Sequence, residues 1–536
     1  MKLTTQALAD RAPWEDRGYQ LPKYDREEVI RRTHERPIWL HLGAGNIFRA
    51  FLAADAQRLL DRGWMDTGII VGEGYDCEII EKAYRPFDNL ALSVTLKPEG
   101  SIDKVVVGSI TESLAMQRQT PDWARLEEVM QSPSLQMVSF TITEKGYNLK
   151  DQQGRYFQNT EQDFARGPDG ADSYMGKVAA LLYKRFLCGG PAIALVSMDN
   201  CSHNGTRLYE ALRDFASKWE SQGLVEKGFL SYVEDREKVG FPWSMIDKIT
   251  PRPDAKVVEM LKADGFEDTE SLKTKMGSFV APFVNAEQTQ YLVVEDWFPN
   301  GRPPLDKAGV IFTQRETVDQ VEKMKVCTCL NPLHTALAVF GCLLGFTRIS
   351  DEMKDEDLRR MVEIIGYKEG LPVVVDPGIL DPRAFLDTVI HERFPNVFMP
   401  DSPQRIATDT SQKLAIRFGE TIKAYLASDE LAVDDLKMIP LVFAGWCRYL
   451  MGVDDRGNAF ERSDDPMFGQ LLPYLSGVAL GDTGAGQTLR PILSNDRIFG
   501  VDLYAAGLGQ RVESYFAEML TGPGAVRETL HRHVSE

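Results

Sequence analysis

Over the first three hundred residues, short β-branched and aliphatic runs alternate with segments of helical periodicity. Runs at 38–42, 68–71, 90–96, 104–107, 137–143 and 192–196 read as strands. Several are apolar on both alternating faces, the pattern of parallel strands covered by helices. Residues 46–60 place Phe48, Leu52, Ala56 and Leu59 at helical spacing, so the order strand, helix, strand predicts a doubly wound α/β sheet. After about residue 315 helical patterns take over, as at 334–344, 355–365 and 419–427. The expected organisation is an α/β domain with extensions over 1–315 and a mostly α-helical domain over 316–536. Gly301-Arg-Pro-Pro304 leads up to the boundary. No internal repeat or low-complexity tract interrupts this pattern. A substrate is expected in the cleft between the two domains.

Composition narrows the partners. A chain of 536 residues is too long for one ordinary core, which supports two large domains. Its net charge of −18 disfavours nucleic acid and anionic membrane surfaces. No run of eighteen apolar residues suggests a membrane span. The acidic, polar start lacks the pattern of a secretory signal, so a cytoplasmic location is expected. Seven cysteines without a CxxC pair suggest buried thiols rather than a disulfide framework or a metal site.

The first strand runs into Gly43-Ala44-Gly45-Asn46-Ile47-Phe48-Arg49 and then a helix. Two glycines allow a tight turn close to a pyrophosphate, and the helix start offers N–H groups and a positive dipole. This is a Rossmann-type arrangement, with Phe48 where the usual third glycine would stand. The next strand ends in Glu73-Gly-Tyr-Asp76. An acid there can accept from both adenosine ribose hydroxyls and repel a 2′-phosphate, favouring NAD over NADP. Glu73 is the first choice and Asp76 the second. Arg49 either touches phosphate or covers the loop. Glu144 and Lys145 follow a strand end, where cofactor and substrate meet in doubly wound folds, so Lys145 is a candidate for the substrate, with turn chemistry before Gly146 as the plain alternative.

The segment Lys323-Met-Lys325-Val-Cys-Thr-Cys-Leu-Asn331-Pro332-Leu-His334 precedes a helix apolar on nearly every side. Pro332 fits a first helical position, which makes Asn331 a natural N-cap. His334 fits a hydrogen-bonded core histidine. A lysine, an asparagine and a histidine converging there also suit hydride-transfer chemistry. The lysine would move the alcohol proton, Asn331 would donate to the oxygen and His334 would orient the substrate.

The chain resembles the polyol-specific long-chain dehydrogenases, the mannitol dehydrogenase family. The marks are His41-Leu-Gly-Ala-Gly45, Phe48-Arg49-Ala50, Thr141-Ile-Thr143-Glu144-Lys145-Gly-Tyr147 and Ser197-Met-Asp-Asn200 with Asn204-Gly205. Ser244-Met-Ile-Asp247-Lys248-Ile-Thr-Pro251, Val294-Glu-Asp-Trp-Phe298 and the Asn331/His334 segment follow in order. The resemblance implies a metal-independent NAD enzyme acting on a sugar alcohol or sugar acid, with a monomer as its expected state. It places Thr143 and Glu144 beside the cofactor. It makes a lysine five residues before the asparagine the acid/base. That position here is Val326, and Lys325 is six back. The role is carried to Lys325, with Lys323 as fallback, on the premise that the helix begins only at Asn331 and a bulge absorbs the extra residue. The resemblance also implies that Asn200 polarises the oxygen with Asn331 and that Asp247 touches substrate hydroxyls. Lys248 replaces the usual arginine, with a salt bridge inside the first domain as its plain reading.

Arg405 and Lys413 match the family's second-domain substrate cations, and Arg417 follows Lys413 at helical spacing. Such a cluster in an acidic protein suits a carboxylate. An aldonate or keto-uronate would fit it better than a neutral polyol, and the Thr143-Glu-Lys-Gly-Tyr147 form resembles the uronate reductases, which implies reduction of fructuronate to mannonate. Mannitol or arabinitol oxidation, tagaturonate reduction, a non-catalytic NAD sensor and a metal-dependent polyol dehydrogenase are the alternatives.

Overall fold

The computed structural model describes residues 1–535 apart from 98, 99, 152, 400 and 483. The chain divides into two compact units, Met1–Asp319 and Gln320–Glu536.

The first unit is built on a six-stranded sheet. Its strands are β1 (Trp39–Leu42), β2 (Ile69–Glu73), β3 (Ile110–Ala115), β4 (Met137–Phe140), β5 (Ile193–Ser197) and β6 (Val239–Gly240). The spatial order is β3-β2-β1-β4-β5-β6, and every pairing is parallel. That is the doubly wound order whose switch point lies at the carboxyl end of β1. All residues of β1, β2, β4 and β5 are buried, as covering by helices on both faces requires. The six strands read from the sequence all form. Two of them, Ala91–Leu96 and Ile102–Val107, belong to a separate four-stranded sheet with Tyr19–Gln20 and Phe283–Glu287. The sequence pattern missed β3, where Glu112 and Ser113 interrupt the apolar run.

The second unit is helical. Its core centres on the helices Asn331–Leu344 and Met438–Leu450, packed on each other, with Gly509–Met519 against the latter. Nearly every side chain of the first two is buried. The helical stretch Arg315–Leu344 is long and apolar enough to cross a membrane, yet 78% of its apolar window is buried inside the protein. That is the signature of a core helix.

Candidate active site

In the first unit the chain leaves β1 through Gly43, whose φ is +114°. A Cβ at Gly43 would lie 2.2 Å from the Thr141 carbonyl oxygen, so only glycine fits. Gly45 differs: a Cβ there would meet nothing within 4 Å. The space beside Gly45 belongs to a cavity of about 810 Å³ lined also by Gly43, Glu73, Asp76, Thr143 and Lys145. Its size suits a cofactor. Asn46 and Ile47 open the following helix, where first-turn N–H groups have no preceding carbonyls to pair with.

Several residues expected to touch the nucleotide instead hold this loop together. The Ala44 N–H donates to Glu73 Oε2 at 2.8 Å. Glu73 Oε1 accepts from the N–H groups of Tyr75 and Asp76. Its carboxylate therefore ties the β1 and β2 loops to each other. The acid with an open oxygen is Asp76. Its Oδ2 accepts from Thr274 Oγ1 at 2.6 Å, while its buried Oδ1 has no partner among the described residues. Phe48 is fully buried and stacks on His41, with centroids 4.1 Å apart and planes at 7°. The absent third glycine is thus replaced by a ring that props the loop from below. Arg49 is buried as well; it donates to the Ala281 carbonyl and to Asn46 Oδ1 and lies over the Tyr84 ring. Ala44, Phe48 and Arg49 thus support the loop from within the protein. Glu144 pairs with Arg207 at 3.1 Å on the surface, outside the cavity lining.

His41 has both ring nitrogens engaged, by Ser139 Oγ and Thr141 Oγ1. Burial pulls its pKa down to about 3, against roughly 6.5 in an unfolded chain. Between those values the unfolded chain holds the extra proton. Stability therefore falls as pH drops from about 6.5 toward 3, by at most about 1.4 kcal/mol per pH unit. His41→Gln should lose less melting temperature between pH 7 and pH 5 than the wild type; equal losses would contradict the linkage.

Thr143, at the mouth of β4, has a φ of +66°, a conformation that costs a non-glycine residue about 1–3 kcal/mol. Asp199 holds it there, accepting from the Ile142 and Thr143 N–H groups and from the Tyr147 hydroxyl. Burial nevertheless pushes the Asp199 carboxyl up. Its positioning role escaped the sequence reading, although it directly precedes Asn200. Asn200 is exposed beside it. Asp247 is buried at the end of the Ser244–Asp247 strand. Lys248 donates to the Glu287 carbonyl and to Gln290 Oε1, an internal anchor.

In the second unit the α-helix begins at Asn331, as the sequence premise requires. Before it, the helix Arg315–Lys323 continues into a π-helical segment, Met324–Cys329, where the expected bulge lies. Asn331 is the first helical residue rather than the N-cap, which is Leu330 with φ −131° and ψ −60°. Pro332 sits where the π turn ends, so its missing N–H breaks no regular ladder. The Leu330 N–H donates to the Lys325 carbonyl at 3.1 Å, an i→i+5 bond. Such a turn inserts one residue without advancing the helical phase. The residue by which Lys325 and Asn331 exceed a five-residue spacing thus falls in a π-helical segment. Lys325 is 3% exposed, whereas Lys323 is exposed. Among the described residues the Asn331 carboxamide has no hydrogen-bond partner.

His334 follows one turn later. Its Nε2 is buried without a hydrogen-bond partner among the described residues, 3.6 Å from Asp401 Oδ2. Burial, reinforced by Arg417, Arg405 and Arg393 and opposed by Asp401, pulls its pKa down to about 4. His334 is therefore neutral near pH 7. The cations expected from the sequence gather around it unequally. Arg405 is exposed and ion-paired with Asp401. Lys413 donates to the Thr408 and Ile406 carbonyls. Arg417 donates to Thr335 Oγ1. Among the described residues no group of three or more His, Cys, Asp or Glu side chains could hold a metal.

Comparison with known proteins agrees with this arrangement. Residues 37–307 match the mannitol dehydrogenase Rossmann domain and residues 317–520 the mannitol dehydrogenase C-terminal domain. The chain is 52% identical to the D-mannonate oxidoreductase of Thermotoga maritima, over 100% of this chain and 99% of that one. Two solved structures are similar. D-sorbitol dehydrogenase in substrate-free form has a TM-score of 0.75 at 25% identity, covering 94% of this chain and 97% of that one. Pseudomonas fluorescens mannitol 2-dehydrogenase, in ternary complex with NAD and D-mannitol, has a TM-score of 0.72 at 26% identity over 100% of both chains. With both of its units matched by the family's two domains, the chain belongs to the mannitol dehydrogenase family.

Proposed function

We propose that this protein is an NAD-dependent oxidoreductase that interconverts D-fructuronate and D-mannonate. The observation that carries this reading is the full-length identity with a D-mannonate oxidoreductase. The excess of cations around His334 agrees with an acidic substrate.

The first unit fits a dinucleotide. Gly45 leaves room for a pyrophosphate, and the N–H groups of Asn46 and Ile47 point the helix start at it. Asp76 Oδ1 is the open acceptor for an adenosine ribose hydroxyl. Thr143 and Lys145 line the same cavity. When bound, NADH supplies the hydride that reduces the substrate carbonyl carbon. Lys325 gives the carbonyl oxygen its proton and takes it back in the oxidation direction. Asn331 and Asn200 donate to that oxygen as its charge changes. Neutral His334 and Asp247 orient substrate hydroxyls, and Arg405 and Lys413 contribute positive potential for the carboxylate.

The direct test follows NADH oxidation with fructuronate as sole acceptor, with and without a chelator. Turnover that survives the chelator is expected; no turnover would contradict the proposal. A carboxylate at Asp76 would repel a 2′-phosphate. Asp76→Ser should therefore raise the NADPH-to-NADH ratio of kcat/KM by roughly tenfold or more. An unmoved ratio would remove Asp76 from the ribose site.

A further inference from the structure

We propose that Arg417, rather than Arg405, is the residue that grips the substrate carboxylate, and that it sets the preference for a sugar acid over a neutral sugar. This rests on the reading of the enzyme as a sugar-acid oxidoreductase.

Arg405 is poorly placed for the task. Its side chain is 64% exposed and already committed to Asp401. Arg417 is the opposite case. It lies in the π-helical segment Ala415–Gly419, and its Nη1 donates to Thr335 Oγ1 at 2.5 Å. Thr335 Oγ1 in turn donates to the Asn331 carbonyl. The guanidinium is thereby fastened to the same turn that carries Asn331 and His334. Its charge acts on His334 directly. Among the described residues no carboxylate lies within ion-pair distance of Arg417.

A guanidinium held in partly buried surroundings without a counter-charge is costly, and such groups are paired in folded proteins. Burial alone pulls Arg417 down to about 10. One hydroxyl occupies one of its five N–H groups, which leaves the planar fork able to give two parallel bonds to a carboxylate. Lys413, half-buried and bonded to two carbonyls, adds a second charge beside Arg417, partly offset by Asp409 and Asp465. The counter-ion that this cluster lacks is the carboxylate of the bound sugar acid. A neutral ketose cannot supply it, and would leave the cations unpaired.

The test compares wild type, Arg417→Met and Arg417→Lys with NADH, using fructuronate and fructose as acceptors. Melting temperature and NADH affinity serve as controls for folding. For Arg417→Met, kcat/KM on fructuronate should fall on the order of a hundredfold, mainly through KM, as loss of one partner of a desolvated charge pair does. Its kcat/KM on fructose should stay within a few-fold of wild type or rise. Arg417→Lys should recover part of the loss on fructuronate, because it keeps the charge but not the fork. Equal losses on both acceptors with NADH affinity intact would make Arg417 a structural residue and overturn the inference. Wild-type enzyme that prefers fructose would overturn instead the sugar-acid reading on which it rests.

Discussion

Lys325→Ala is expected to lower kcat by roughly 10²–10⁴-fold, the range contributed by a positioned acid or base. NADH affinity should stay unchanged, because the groups fitted to the nucleotide lie in the first unit. The expectation rests on the π turn. Without it, one extra residue would swing a side chain by about 100° around the helix. The i→i+5 bond from Leu330 to Lys325 takes up one residue within the π segment. Lys323 and Lys325 sit about 200° apart on a helix, and burial separates them: Lys325 is inside and Lys323 is exposed. Lys323→Ala should therefore retain most activity. Steady-state rates at saturating fructuronate and NADH decide between them. A Lys325→Ala enzyme as fast as wild type, or a Lys323→Ala enzyme that is the slow one, would remove the assignment.

The second large effect separates two glycines that look alike in the sequence. Gly43→Ala forces a Cβ to within 2.2 Å of a backbone oxygen at a φ of +114°. The loop must move, so both melting temperature and NADH binding should suffer. Gly45→Ala meets nothing in the protein. Its melting temperature should match wild type, as a surface change within about 0.5 kcal/mol would. Its NADH dissociation constant should nevertheless rise by about tenfold or more, because the new methyl occupies the room left for the pyrophosphate. Fluorescence titration with NADH and thermal melts report the two effects independently. Gly45→Ala protein that binds NADH as tightly as wild type would show that the pyrophosphate lies elsewhere.

Much of the fold was legible in the sequence because it rests on periodicity. Uninterrupted apolar runs gave the buried strands β1, β2, β4 and β5, and the helical stripe after Gly45 gave the loop its context. The strand β3 escaped because its polar residues break the run, yet Thr111 and Ser113 are buried. The loop residues were less legible. Ala44, Phe48, Arg49 and Glu73 hold the loop through tertiary hydrogen bonds and stacking, and Glu73 lines the cavity as well. No one-dimensional pattern distinguishes a residue that touches a phosphate from one that holds the backbone that does. The helix start at Asn331 and a bulge before it were legible from Pro332 and the six-residue spacing, whereas the π-helical form of that bulge belongs to the folded backbone. Arg417 was visible as a charge at helical spacing. Its lack of a carboxylate partner is a property of the folded chain alone.

The central claim is that the enzyme uses NADH to reduce a keto-acid. It is tested most directly by kcat/KM measured with NADH on fructuronate, tagaturonate, fructose and xylulose under one set of conditions. The highest value is expected for fructuronate, with values lower by about a hundredfold or more for the two neutral ketoses, as unpaired buried cations would impose. Equal or higher values on fructose or xylulose would contradict it.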